Sequence, residues 1–240
     1  MAAVSCSSPA TVTEVSGTRI MVDSVYDSRP DSAAEAFIKP YKHVVDSIMS
    51  PVVGRTARSM SGGRPESLLS NLLADIMVWA GKDYGEKPVA GVYNMGGIRA
   101  SLPAGTVTYG DVLEVAPFDN KICFLTLSGR DLLRLFGEMA AVGGEGVSHG
   151  VELVVSRDGK LKSARLNGQD VRPEADYRIA TINYLAEGND KLTAFRSRRD
   201  LNSPQAEEND MRNIISGYFR EMARQGKTVD ARIEGRIRVE

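Results

Sequence analysis

The chain has 240 residues and an almost balanced charge, with 30 Lys and Arg residues against 31 Asp and Glu residues. That length is sufficient for a domain with a substantial hydrophobic core. The absence of a basic excess argues against a protein that binds nucleic acid without sequence preference. No run of about 18 apolar residues occurs, so the sequence predicts no membrane-spanning helix.

Residues 1–20 are predicted to form a tether that precedes the folded domain. Cys6 ends a stretch of small residues and is followed by Ser, Pro and Thr residues, a composition that resembles the start of a mature bacterial lipoprotein. Two interpretations are open: the remnant of a lipoprotein signal with Cys6 as the lipidated residue, or an ordinary disordered terminus. The other cysteine, Cys123, lies in an apolar run and is expected to be a small core residue.

The first predicted elements are a short β-like segment over 22–26 and a helix over 33–50. Apolar residues recur at helical spacing through the helix, and Asp31 is placed to cap its start. Pro40 lies inside it and should kink or split it, because proline lacks a backbone donor.

The rest of the chain contains both helices and strands. A second helix is predicted over 65–81, a buried strand over 89–93 and another over 121–127. A capping-box sequence at 128–131 opens a third helix. The remaining elements are strands at 151–155, 161–166 and 177–182, turns at 157–159 and 167–168, a helix at 211–222 and a strand at 232–239. This order predicts an α+β fold over 21–240, a single layered domain with mixed β-sheets and packed helices.

The loop Asn94-Met-Gly-Gly-Ile-Arg99 follows a predicted strand directly. Gly97 and the glycine before it let the backbone approach a ligand, and Arg99 can bind an anion through two parallel hydrogen bonds. The alternative interpretation is a structural turn with a surface arginine.

Two further loops carry side chains suited to a ligand. Phe118 could present a ring for stacking with the Asn120 amide beside it, or it could be a peripheral core contact. Tyr184 could supply a second stacking face. Asp190 could accept hydrogen bonds from sugar hydroxyls, or it could simply form a turn.

The order of these motifs, N-x-G-G-I-R, then P-F-x-N, then N-[FY]-x-A-x-G-x-D, resembles the C-terminal domain of the 5'-nucleotidase and UDP-sugar hydrolase family. The helical segment 64–75 and the closing segment 233–237 agree with that resemblance. It extends over about 52–239, most of the chain.

The resemblance implies a nucleotide-binding role for each of these side chains. Phe118 and Tyr184 would clamp the base, and base stacking contributes roughly 1–3 kcal/mol per base. The other implied ligand-binding residues are Asn120 for the base, Asp190 for the ribose hydroxyls, Arg99 for the phosphate, Asn94 and Gly97 in the glycine motif, and Arg64, with Arg58 as its competitor, for the phosphate.

The chain departs from the family pattern near the proposed pocket. Asp119 and Asn189 stand where the family usually has glycine, and Lys191 stands where it often does. The added charges of Asp119 and Lys191 bear on affinity and on base preference.

In the family, hydrolysis takes place on a separate N-terminal domain that holds two metal ions, with ligands in D-x-H, G-N-H-[DE] and G-H-x-H motifs. This chain has two histidines, His43 and His149, and neither has a metal-ligand partner at a suitable spacing. No Ser-His-Asp or Cys-His arrangement can be assembled either. We therefore expect no catalytic residue, metal or cofactor in this chain, and divalent metals on a partner domain.

The resemblance implies the substrate-binding domain of a 5'-nucleotidase-type hydrolase that works with a separately encoded metallophosphoesterase subunit on nucleotides or nucleotide sugars. One alternative is a stand-alone nucleotide-binding or scavenging lipoprotein without catalysis. Another is a domain that has lost its pocket and serves structure or interaction. The expected location is the periplasm or the cell surface, with a membrane tether if Cys6 is lipidated.

Overall fold

A computed structural model describes residues 12–28 and 30–240 of the chain. Cys6, the residue predicted to carry a lipid, lies outside the described residues, as does part of the predicted tether. The chain divides into two compact units, Met1–Val44 and Val45–Glu240.

The first unit contains a short 3-10 turn, Ser24–Tyr26, and most of helix α1, Ser32–Met49. The prediction of a β-like segment here is wrong, because the Asp23 carboxylate accepts the Val25 N–H at 3.0 Å and closes a turn. Asp31 caps α1 as predicted, its carboxylate accepting the Ala33 and Ala34 N–H groups at 2.9 and 3.1 Å. Helix α1 is not split at Pro40 and has no buried residue.

The second unit combines strands and helices, as the sequence predicts. Its strands are β1 Val52–Thr56, β2 Ala90–Tyr93, β3 Gly105–Thr108, β4 Ile122–Ser128, β5 Gly146–Val147, β6 Val151–Val155, β7 Leu161–Leu166, β8 Gln169–Asp170, β9 Asp176–Ile182, β10 Arg199–Asn202 and β11 Ile237–Val239. Its helices are α2 Leu68–Ala80, α3 Tyr109–Val115, α4 Gly129–Ala141, α5 Asn183–Ala186 and α6 Met211–Arg224. Elements that the sequence does not predict include β1, β3, β10, α3 and α5.

These strands form three sheets. The central sheet has the order β10-β4-β9-β2-β5, a second sheet has the order β11-β6-β7-β8, and β1 pairs with β3. Strands β4 and β9 are antiparallel over their full length, whereas β2 and β9 are parallel. The predicted α+β fold with mixed sheets is therefore confirmed.

Helix α2 covers the central sheet and supplies much of the core. Ser67 caps it, accepting the Ser70 N–H, so it begins three residues later than the predicted start at Pro65. A Cβ on Gly91 of β2 would lie 2.4 Å from the Ala74 carbonyl oxygen, so glycine allows this close packing of helix on strand. Cys123 is fully buried, and burial raises the pKa of its thiol to about 12, as expected of a core residue.

The sheet topology brings the three predicted loops to one edge. Strands β2 and β9 are parallel neighbours, so the segments that follow Tyr93 and Ile182 leave from the same end of the sheet. Strand β4 is antiparallel to β9, so the segment that precedes Ile122 enters at that end as well.

Candidate functional site

One cavity of about 270 Å³ is bordered by side chains and backbone of these three loops. It includes seven of the eight residues that the sequence selects. Its lining residues are Asn94, Gly96, Gly97, Arg99, Phe118, Asn120, Tyr184 and Asp190.

The first loop folds into a tight 3-10 turn directly after β2. The turn, Met95–Gly97, is closed by the Gly97 N–H, which donates to the Asn94 carbonyl at 3.1 Å. A Cβ on Gly97 would lie only 2.5 Å from Asn94 Oδ1, whereas a Cβ on Gly96 would meet nothing closer than 3.7 Å. Gly97 is therefore required for the position of the Asn94 side chain.

Asn94 is 4% exposed, and its two amide atoms have different surroundings. Nδ2 donates to Asp190 Oδ2 at 2.8 Å. Oδ1 has no hydrogen-bond partner within the described protein. Exchanging the two atoms would place the oxygen against the Asp190 carboxylate, so the orientation is determined. A buried acceptor without a donor costs about 1–3 kcal/mol, and a ligand O–H or N–H would remove that cost.

Asp190 links the first and third loops. Its carboxylate accepts Asn94 Nδ2 through one oxygen and the Tyr184 hydroxyl through the other, the latter at 2.9 Å. Asp190 has a φ of 55°, in the left-handed region, and its hydrogen bonds to Asn94 and Tyr184 hold it there. The bond to Asp190 raises the pKa of Tyr184, so the phenol stays protonated as a donor at neutral pH.

The two aromatic rings are partly exposed. Phe118 is 45% exposed and Tyr184 is 39% exposed, so neither ring is a core residue. The Arg99 guanidinium lies 5.9 Å from the centroid of the Phe118 ring, at cation–π distance. Arg99 forms no salt bridge with another residue of 12–28 or 30–240, and its hydrogen bond to the Gly96 carbonyl is long, at 3.4 Å.

The Phe118 loop is anchored to helix α6. Asn120 accepts the Met211 N–H through its carbonyl at 2.9 Å, and Arg212 pairs with Asp119. The Arg212 hydrogen bond lowers the pKa of Asp119. Asp119 is thus directed to α6, and neither it nor Lys191 borders the cavity.

Arg64 borders a neighbouring cavity of about 380 Å³, which also includes Arg99. Its guanidinium donates to the Gly144 carbonyl at 2.8 Å and pairs with Glu145. The competing arginine, Arg58, pairs instead with Asp230 at 2.7 Å and borders neither cavity.

Glu145 is a residue of this region that sequence reasoning missed. Its carboxylate is 1% exposed, and it accepts the Met95 N–H as well as the Arg64 guanidinium. Burial raises its pKa. The available signal was a single acidic residue between two glycines, Gly144 and Gly146, which also suits an exposed turn.

In the part of the chain that the structure describes, no group of three or more His, Cys, Asp and Glu side chains is arranged to hold a metal ion. His149 is exposed and contacts Glu234 at 3.0 Å. No described helix has both the length and the apolar character needed to cross a membrane.

The side chains around the cavity supply the groups of a binding site: two stacking faces, an available cation and a buried acceptor.

Comparison with known proteins identifies the family. The model of the 5'-nucleotidase C-terminal domain family matches residues 49–197, so the chain belongs to that family. Over 164 residues it is 28% identical to protein UshA of Escherichia coli, covering 65% of this chain and 29% of UshA. It is 31% identical over 169 residues to endonuclease YhcR of Bacillus subtilis, covering 65% of this chain and 13% of YhcR.

Solved structures agree with the fold. The 5'-nucleotidase precursor from Thermus thermophilus superposes with a TM-score of 0.73 at 27% identity, covering 86% of this chain and 43% of that protein. The NAD nucleotidase of Haemophilus influenzae has the same fold, with a TM-score of 0.65 at 17% identity. The chain spans about a third or less of the curated relatives that it matches.

Proposed function

We propose that the second unit binds a nucleotide in the cavity between its three loops and presents the phosphate to a metallophosphoesterase subunit encoded separately. One observation carries this proposal: one cavity is bordered by two partly exposed rings, and by an arginine without an ion pair and a buried acceptor without a donor among the described residues. The family to which the chain belongs supports it.

Each part of a nucleotide has a complementary group in this cavity. The base would stack between Phe118 and Tyr184, with the Asn120 amide at its edge. A ribose hydroxyl can donate to the unpaired Oδ1 of Asn94 or to the Asp190 carboxylate. Arg99 would hold the phosphate.

Arg64 is proposed as a second phosphate ligand that acts through the neighbouring cavity, where it lies with Arg99. A guanidinium suits phosphate oxygens because its donors form a planar fork. The ion pair with Glu145 reduces the net positive charge that Arg64 offers, so Arg99 would be the stronger phosphate ligand.

The described residues do not fit the two-metal site that phosphate-ester hydrolysis requires in this family. In this proposal the divalent metals are held by the partner subunit, and this chain binds and orients the substrate. The proposed location is the periplasm or the cell surface, with Cys6 as a lipid anchor. A stand-alone nucleotide-binding lipoprotein would use the same cavity without a partner.

Isothermal titration of the purified chain with AMP and with ribose 5-phosphate tests the binding proposal. AMP should bind with a Kd of roughly micromolar to millimolar order. Ribose 5-phosphate lacks the base and should bind about 5- to 150-fold more weakly, the equivalent of one stacked base. Absence of AMP binding, or equal affinity for the two compounds, would refute the proposal.

A further inference from the structure

The Asn183 side chain connects the backbones of the two loops that carry the aromatic rings. Its Oδ1 accepts the Lys121 N–H and the Tyr184 N–H, each at 3.0 Å. Its own backbone N–H donates to the Lys121 carbonyl at 2.9 Å.

These contacts follow from how the β4–β9 ladder ends. The last pair of named strand residues is Ile122 and Ile182, and the next position joins Lys121 with Asn183. In an antiparallel ladder, alternate pairs exchange two N–H···O=C bonds. The Asn183 carbonyl does not take part in that exchange. It turns into helix α5 and accepts the N–H of Glu187, the residue that caps the helix, at 3.2 Å. Asn183 Oδ1 replaces that carbonyl as the acceptor.

The ladder thereby extends by one pair at the point where the main chain turns into α5. Tyr184 follows Asn183 directly, and Phe118 lies three residues before Lys121. Other contacts hold each loop separately, such as the Met211 N–H to the Asn120 carbonyl. Together with the bond from the Asn183 N–H to the Lys121 carbonyl, the Asn183 side-chain oxygen fixes the two ring-bearing loops relative to each other.

We infer that Asn183 is a positioning residue that sets the gap between the Phe118 and Tyr184 rings and so determines base affinity. This inference rests on the proposed function. Asn183 does not border the cavity, so it acts through the two rings. Losing its oxygen lowers affinity for the base and leaves binding of the sugar phosphate intact.

The test compares Asn183→Ala with the wild-type chain for AMP and for ribose 5-phosphate, by isothermal titration, with melting temperatures measured in parallel. Asn183→Ala should weaken AMP binding roughly tenfold, within the range for one stacked base, and leave ribose 5-phosphate binding unchanged. Asn183→Asp keeps an oxygen acceptor in the same place and should restore AMP affinity. If Asn183→Ala does not fold, Asn183→Ser is used in its place. The serine oxygen lies closer to its own backbone than Asn183 Oδ1 does, and so farther from the Lys121 N–H.

Asn202→Ala is the matched control, because it also truncates a hydrogen-bonded asparagine at the end of a central-sheet strand. The Asn202 side chain donates one hydrogen bond, to Glu86 at 2.9 Å, and lies outside the cavity. It should leave the ratio of the two affinities unchanged. If Asn183→Ala lowers the melting temperature but keeps the wild-type ratio, the positioning role is refuted. If the wild-type chain itself binds AMP no better than ribose 5-phosphate, the proposed function fails instead.

Discussion

Gly97 affects the cavity because it has no side chain. Because a Cβ there would lie 2.5 Å from Asn94 Oδ1, Gly97→Ala should displace the Asn94 amide and break its bond to Asp190. We expect AMP affinity to fall by about 1–3 kcal/mol, the range for a hydrogen bond to a charged group or a buried group left unpaired. Titration calorimetry measures this.

The adjacent glycine provides the control for that experiment. A Cβ on Gly96 would make only ordinary contacts, the nearest at 3.7 Å from Asp190. Gly96→Ala should therefore retain most of the AMP affinity. Equal losses in the two variants would contradict the role assigned to Asn94.

Residue types and their order predict most of the cavity at this scale, since seven of the eight selected residues border it. Arg64 lies in the neighbouring cavity because Gly144 and Glu145, some 80 positions away in the chain, bind its guanidinium. Asp119 is directed away from the cavity for a similar reason, its partner being Arg212. Side-chain directions that depend on distant partners cannot be read from local sequence.

At the scale of elements, packing of α2 on β2 depends on Gly91. A Cβ there would lie 2.4 Å from the Ala74 carbonyl oxygen, a backbone atom that cannot move alone. Gly91→Ala should therefore cost about 1–3 kcal/mol or more in the free energy of unfolding. In α4, a Cβ on Gly137 would meet nothing within 4 Å, so Gly137→Ala should stabilise the chain by about 0.5–1 kcal/mol. Urea denaturation measures the free energy of unfolding of both variants. If Gly91→Ala were more stable than the wild-type chain, this packing of α2 on β2 would be refuted.

Glu86 joins β9 and β10 through Arg178 and Asn202. Its carboxylate accepts two guanidinium hydrogen bonds, at 2.6 and 2.8 Å, and the Asn202 amide at 2.9 Å. The Arg178 hydrogen bond holds the pKa of Glu86 below its ordinary value of 4.5. A depressed carboxyl pKa stabilises the fold above the ordinary value, and the contribution disappears as the pH falls through the folded value.

Glu86→Gln should therefore lower the free energy of unfolding by about 1–3 kcal/mol at neutral pH, the range for hydrogen bonds to charged groups. The difference from the wild-type chain should shrink as the pH falls below 4.5. Thermal denaturation over a pH series measures this difference in the free energy of unfolding. If the difference stayed constant as the pH fell, the charge of Glu86 would not be its source.

Periodicity predicts α2, α4 and α6, because each of these long helices has one apolar face that the core covers. The short helices α3 and α5 are not predicted, because they have too few turns to show a period. The start of α2 differs from the prediction, because Ser67 caps the helix and the helix does not begin at Pro65. The order β10-β4-β9-β2-β5 joins strands far apart in the chain. No local pattern specifies such pairings, so the sheet order could not be predicted from the sequence.

For the whole molecule, the account predicts binding without turnover. The purified chain with added Mn²⁺ or Zn²⁺ should not hydrolyse AMP, because its described residues hold no cluster that could generate a metal-bound hydroxide. Phosphate release should appear when a metallophosphoesterase subunit is added. Metal-dependent hydrolysis by the chain alone, surviving a contamination control, would contradict the division of roles. If no such subunit increased phosphate release in the presence of the chain, the stand-alone binding protein would be favoured.

The central claim is that Phe118 and Tyr184 form a base clamp, and Tyr184→Ala tests it most directly. The ring is 39% exposed, so its loss should cost little stability, while AMP affinity should fall by about 1–3 kcal/mol, the value for one stacked base. Truncating a buried aromatic residue would instead cost about 3–5 kcal/mol of folding free energy. Calorimetric titration with AMP and urea denaturation, both performed on this variant, give the two quantities. Weakened binding with nearly unchanged stability is the predicted result, and strong destabilisation with unchanged AMP affinity would contradict the clamp.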